Sequence, residues 1–338
     1  NIRDRIDEHF ISYTRDVPED EVELIPVNIL SQEVEENSWS SFIRQVRDFS
    51  DYNDPGFFDF LQENIDVQNM IDYFLIRIYI SSVDWPGNNR SVWRHKSDTG
   101  RFRNILFDND NTLDIYEANT LRMALEEDGP SWPNPEWSTL LLRSALLNDT
   151  FRDLFIERNE ELVVSLFNEE RLMGILDSLV GLYEPLMPDH INRWQFPGEN
   201  ISAWYFHVKN MRKFFEKRPC VIRAFFREYF NLPENYLSSL GCESNSLVSE
   251  SDESTLVIEL FPNPTNSAIT IAAMINPNTE TRLMIFDAQG RKLIEESIIE
   301  ESRFFVRYIS EIANWSPGVY LVRFENLGRV VNQRFIIN

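Results

Sequence analysis

Between Asp84 and Leu113 the chain must stop a helix, form a tight two-stranded ribbon and return polar residues to the place where the helix stopped. Asp84 precedes Trp85-Pro86-Gly87, a turn signal at the end of a long apolar helical pattern, and Asn88-Asn89 follow. Two alternating runs, 90–96 and 101–107, flank Ser97-Asp98-Thr99-Gly100, as in a β-hairpin with a glycine-bearing loop. Asp108-Asn109-Asp110-Asn111-Thr112 comes next, so the hairpin carries Asp108 and Asp110 back towards the first loop.

The convergence of carboxylates and amides from two loops is a set of hard oxygen donors. Such donors suit Mg²⁺ or Mn²⁺ better than Zn²⁺. Protein kinases place a catalytic Asp five residues ahead of a metal-binding Asn, and a hairpin then leads to a second metal-binding Asp. Here Asp84 and Asn89 are five residues apart, and Asp108 lies 24 residues beyond Asp84. Each piece alone also reads as ordinary turn chemistry, with Asx hydrogen bonds closing the loops. The ordered set is harder to explain that way, because a hairpin has no structural need for polar groups at both bases.

Asp84-Trp85-Pro86-Gly87-Asn88-Asn89, Trp93-Arg94 and Phe107-Asp108-Asn109-Asp110-Asn111-Thr112 together resemble the spore-coat protein H (CotH) family of atypical secreted kinases. The segments 147–155 and 184–194 extend the likeness, which runs over roughly residues 1–235. The resemblance implies an α+β chain with an atypical protein-kinase-like domain: a mostly helical C-lobe and a truncated N-lobe. It implies phosphoryl transfer from ATP to a hydroxyl of a protein substrate, the chain itself included, with Mg²⁺ or Mn²⁺ as cofactor. Asp84 would be the catalytic base; Asn89, Asp108 and Asp110 would hold metal. Asn88 would fix the loop, and Arg94 would contact phosphate or, preferably, pair with a site carboxylate. Trp85 and Trp93 are expected to pack the hairpin. Two other readings stand beside this one. One is a non-catalytic surface or adhesion protein that keeps the fold. The other, ranked last for want of further carboxylates and histidines, is a metal-dependent phosphodiesterase or nuclease.

No lysine precedes Lys96, and the chain opens at Asn1 as if in mid-strand. A phosphate-binding cation is therefore expected on an upstream segment, and the 338 residues alone are expected to be inactive or nearly so. In the family a Glu often precedes the Ile-Asp pair at 6–7; here that place falls to the shorter Asp4, which departs from the pattern. The net charge of −23 would repel a polyanion, so nucleic acid is not an expected partner. Cys220 and Cys242 fit either one disulfide or two free thiols. No apolar run has the length of a transmembrane helix.

Helical periodicity marks 38–50, a helix from Val67 to about Val83 capped by Asp66, and 140–147, 149–166, 169–183, 201–216 and 219–229, with a break at Pro185–Pro188. A short strand is expected within 16–36, and the Trp- and Pro-rich segment 129–137 is read as a packed connector or a lid. The Ser- and acid-rich segment 243–254 reads as a linker between a first domain, 1–242, and a second, 255–338. The second domain changes to short strands at even spacing, near 256–261, 268–273, 282–287, 304–308, 318–324 and 332–337, which argues for an immunoglobulin-like β-sandwich. Phe261-Pro262-Asn263-Pro264, 286–291 and 316–320 resemble the C-terminal sorting domain of type IX secretion cargo. That resemblance implies export across the outer membrane of a Bacteroidota-type bacterium, with the secretion machinery as partner.

Overall fold

A computed structural model describes residues 5–27, 37–82, 85–97, 99–110, 112–113, 115–127, 136–194, 200–242, 258–261, 263–265, 268–275, 279–299 and 304–337. It falls into two compact units, residues 1–172 with 213–248, and residues 173–212 with 249–338. The linker 243–254, the segment 128–135 and Asp4 lie outside the described residues.

In the first unit, α1 (Glu8–Arg15) starts at Asp7, whose carboxylate accepts from the Phe10 amide at 2.9 Å. Strand β1 (Val22–Val27) follows. Helix α2 (Ser38–Arg47) opens with a reciprocal capping box between Asn37 and Ser40. Helix α3 (Pro55–Asn64) has Asp54 as N-cap and proline in its first turn, a signal the periodicity reading passed over. Helix α4 (Val67–Tyr79) is capped by Asp66 as expected. Eight of its thirteen residues are buried, which makes it the central helix of this unit.

Strands β2 (Arg90–His95) and β3 (Arg103–Ile105) form the expected hairpin. Gly100 is required at its tip, because a Cβ there would lie 1.9 Å from the His95 carbonyl oxygen. The hairpin is not alone: β1 pairs antiparallel with β2 from Val22↔His95 to Val27↔Arg90, giving the order β1-β2-β3. Ile11, Val22, Trp93 and Ile105 close a small core against the sheet. Asn69 of α4 clasps the backbone of β3, accepting from the Asn104 amide at 2.6 Å and donating to its carbonyl at 3.3 Å. The hairpin is thus fixed to the central helix by a side chain as well as by packing.

Further helices are α5 (Thr120–Leu125), α6 (Glu136–Leu146), α7 (Asp149–Val164), α8 (Glu169–Tyr183), α9 (Met187–Trp194) and α10 (Ile201–Phe230). The expected break at Pro185–Pro188 is present: α8 ends at Tyr183, a 3₁₀ turn spans Glu184–Leu186, and Pro188 lies in the first turn of α9, where a missing N–H costs nothing. One expectation is corrected: the pieces 201–216 and 219–229 are one helix, with Pro219 inside it. Cys220 and Cys242 are joined as a disulfide across a separation of 22 residues, which resolves the alternative left open by the sequence.

Among the described residues of the second unit, seven strands form two antiparallel sheets. One has the order β10-β9-β6-β7, with β6 (Glu280–Phe286), β7 (Lys292–Ile299), β9 (Gly318–Asn326) and β10 (Arg329–Ile337). The other is β4-β5-β8, with β4 (Ile258–Phe261), β5 (Ile269–Met274) and β8 (Phe304–Ile309). Ile258, Ile269 and Ile271 of the smaller sheet share one buried core with Leu283, Ile285, Val322, Phe324 and Phe335 of the larger. The expected sandwich is present. The sequence reading missed β7, whose residues are exposed or half-buried throughout and so lack a fully buried face.

Candidate functional site

Helix α4 was expected to run to Val83 but ends at Tyr79, and the reason lies in its last carbonyls. Arg218, fully buried, donates to the oxygens of Ile78 at 2.6 Å and Tyr79 at 2.8 Å, and the Thr120 hydroxyl donates to Ile78 at 2.7 Å. The amide of Leu113 takes the Ile80 oxygen at 2.8 Å. Side chains and a distant amide thus satisfy groups that another helical turn would have used. Ser81 then adopts a left-handed backbone, φ 58°, and turns the chain into the site loop. Burial brings the Arg218 pKa down to about 9, against the favourable charges of Tyr79 and Glu117, so it remains a cation at neutral pH.

The first loop is held from beneath by Trp85. Its indole is fully buried and donates to the Tyr73 hydroxyl at 3.0 Å. Asn88 and Asn89 are half-buried, and Asn89 is left-handed, φ 51°. The second loop leaves β3 at Ile105, reaches Asp108 in the same left-handed region, φ 50°, and turns back at Leu113, φ 61°. Asn and Asp tolerate this region better than other side chains with a Cβ. Asp108 and Asp110 are exposed, and the Thr112 hydroxyl closes the turn by donating to the Asn109 oxygen at 2.7 Å.

Arg77 joins the two loops. This side chain of α4 is fully buried, and its guanidinium donates four hydrogen bonds. Nη2 reaches the carbonyl oxygens of Asn89 at 2.8 Å and Phe107 at 2.6 Å. Nη1 reaches the Asp108 oxygen at 3.3 Å and the Ser82 hydroxyl at 3.2 Å. One side chain therefore brings the backbones of Asn89 and Asp108 together, although 19 residues separate them. The sequence reading passed over Arg77. The available signal was a cation whose neighbours on the helix face, Tyr73, Phe74 and Ile80, are apolar or aromatic.

A second buried arginine, Arg90, anchors the root of the hairpin. It lies over the rings of Trp39 at 5.1 Å, Phe74 at 5.3 Å and Tyr73 at 6.0 Å, and donates to Asn104 Oδ1 at 3.3 Å. Burial lowers its pKa.

Arg94 is engaged elsewhere. It donates to Glu23 at 2.5 Å across the β1–β2 register and stacks over Phe102 at 4.9 Å. Its carboxylate partner is Glu23 of β1, not one of the aspartates expected in the loops, because the antiparallel pairing sets Glu23 directly opposite. Burial alone would raise the Glu23 pKa. Hydrogen bonds from Ser38 and Arg94, with the charges of Arg94 and Lys96, outweigh it and hold the carboxyl below its ordinary value.

Asp84, Asn111 and Asp114 lie outside the described residues. Among the described residues no group of three or more His, Cys, Asp and Glu side chains converges as metal ligands. The donor set that remains, the Asn89 amide with the Asp108 and Asp110 carboxylates, is all oxygen and fits Mg²⁺ or Mn²⁺ in kind. Trp93 is buried in the sheet core and packs the hairpin as expected, whereas Trp85 packs against Tyr73 and Phe74 of α4.

Residues 7–222 match the family described as CotH kinase protein, and residues 259–338 match the secretion system C-terminal sorting domain. Among solved structures the chain is similar to a DUF3244 family protein with an immunoglobulin-like β-sandwich fold from Bacteroides vulgatus. That match is 23% identical and covers 24% of this chain and 83% of that one, with a TM-score of 0.20. Another match is PorZ, a surface component of the type IX secretion system of Porphyromonas gingivalis. It is 20% identical and covers 24% of this chain and 11% of PorZ, with a TM-score of 0.19. No curated protein matches.

Proposed function

The chain belongs to the CotH kinase family, and from that premise we propose that it is an exported, metal-dependent kinase that transfers the terminal phosphoryl group of ATP to a hydroxyl of a protein substrate, itself included. The observation that supports this most is the joint hold of Arg77 on the Asn89 and Asp108 loops. Phosphoryl transfer depends on positioning and charge neutralisation, and a buried cation fixing two loops supplies positioning. Asp84 orients the acceptor hydroxyl and takes up its proton. Asn89 and Asp108 hold Mg²⁺ or Mn²⁺, with Asp110 as a further ligand or a support for Asp108. Bound there, the ion would neutralise the charge of the nucleotide phosphates. Asn88 fixes the first loop, and Arg94, paired with Glu23, supports the sheet behind the hairpin instead of meeting phosphate. The first unit plays the part of a kinase-like domain, and the source is a Bacteroidota-type bacterium.

The sorting domain at residues 259–338 directs the protein to the cell surface or the medium through type IX secretion, whose machinery it engages. Among the described residues no helix is long and apolar enough to cross a membrane.

The reaction is tested by incubating the full-length protein with ATP labelled in its terminal phosphate, with Mg²⁺ or Mn²⁺. Label transfer to the protein or an added protein substrate is expected from the wild type, and at least a hundredfold less from Asp84→Asn, the range lost with a positioned base. Transfer that survives Asp84→Asn at the wild-type rate rejects the role given to Asp84.

A further inference from the structure

We infer that Arg77 is the positioning residue of this site: it sets the spacing of the two metal-binding loops and so controls metal affinity without touching the metal. The inference rests on the kinase reading above and adds to it a residue outside the Asp84–Asn89 and Asp108–Asp110 segments. Four of the five N–H groups of its guanidinium are spent on the loops and on Ser82; the fifth, on Nε, has no hydrogen-bond partner among the described residues. Three of the four acceptors are main-chain oxygens, of Asn89, Phe107 and Asp108. The arginine therefore reads loop position and is indifferent to loop side chains. The two loop residues it grips, Asn89 and Asp108, are both left-handed, a conformation that persists only where the surroundings hold it.

The planar fork matters more than the charge. A lysine ammonium is a compact group with three donors and cannot span acceptors on both loops. Groups that orient metal ligands from behind change affinity by about ten- to a hundredfold when altered.

Arg223 provides an internal control. It too donates to main-chain oxygens, but those belong to Glu234 and Tyr236, outside both loops and away from the end of α4. The experiment compares Arg77→Lys with Arg223→Lys in the full-length protein. It reads Mn²⁺ affinity by electron paramagnetic resonance, thermal midpoint, and amide hydrogen exchange. In Arg77→Lys, Mn²⁺ affinity is expected to fall at least tenfold, with faster exchange in residues 85–89 and 106–110 together. Arg223→Lys is expected to lower the thermal midpoint, with Mn²⁺ affinity within about twofold of wild type and loop exchange unchanged. Should Arg77→Lys not fold, Ser82→Ala keeps the arginine and removes one of its acceptors. It should move affinity and loop exchange the same way by a few fold. If the wild type binds Mn²⁺ and Arg77→Lys exchanges at the wild-type rate in both loops, the inference falls alone. Equal loss of affinity in the two lysine variants also rejects it. Failure of the wild type to bind Mn²⁺ rejects the kinase reading and this inference together.

Discussion

At the scale of single residues, the first unit relies on arginines that are out of reach of water. Arg77, Arg90 and Arg218 are all buried, and each answers a different need: main-chain oxygens of the loops, aromatic faces, and the end of α4. A buried guanidinium is costly unless its donors are met; those of Arg77 and Arg218 are met mainly by carbonyls and not by carboxylates, while Arg90 rests chiefly on aromatic faces. Glu23 shows the opposite arrangement, a carboxylate that collects Ser38 and Arg94 and so ties β1 to α2 and β2. Its pKa is depressed in the fold, so the stability it contributes is present above the unfolded-state pKa and is lost as pH falls through the folded value. Glu23→Gln is therefore expected to lower the thermal midpoint at neutral pH, with the gap to wild type closing under acid. A gap that stays constant from neutral to acid pH would contradict the assignment. The candidate ligands themselves were legible in the sequence because turn chemistry and spacing are local. Arg77 was not, because its partners come from residues 12 and 30 positions further on.

At the scale of elements, the sequence was read well where an element carries its own boundary. The periodicity of 169–183 gives α8 to the residue, and Asp66 caps α4 as expected. It was read poorly where tertiary contacts decide. Helix α4 stops early because Arg218, Thr120 and Leu113 take its last carbonyls, and none of these is a local signal. Strand β1 joins the hairpin by pairing across about 70 residues of chain, which period-2 patterning does not reveal. Helix α10 runs through Pro219, where a local rule placed a break. Close to that proline, the Cys220–Cys242 bridge closes a 22-residue span from α10 to the end of the first unit. A loop of that length is worth about 3 kcal/mol by the chain-entropy account. Replacing both cysteines with serine is expected to reduce unfolding free energy by about that amount in urea titrations, and reductant to lower the wild type to the same level. A wild type that is insensitive to reductant would count against the bridge.

At the scale of the whole molecule, the chain joins a helical unit bearing the two loops to a β-sandwich that matches a secretion sorting domain. A disulfide and an acidic surface of net charge −23 accord with a protein that works outside the cytoplasm. The change from helical to strand periodicity made the presence of two architectures legible. The grouping of residues 173–212 with the second unit has no counterpart in that periodicity. The central claim is that the loops at Asn89 and Asp108 form a metal-dependent nucleotide site. It is tested most directly by calorimetric titration of ATP, with Mg²⁺ and with Mn²⁺, into full-length protein beside Asp108→Gly and Asp84→Asn. Glycine at 108 accepts the left-handed backbone and removes the carboxylate. The account predicts metal-dependent binding in the wild type, its loss in Asp108→Gly, and its retention in Asp84→Asn. Binding that is indifferent to metal, or that survives in Asp108→Gly, would contradict it.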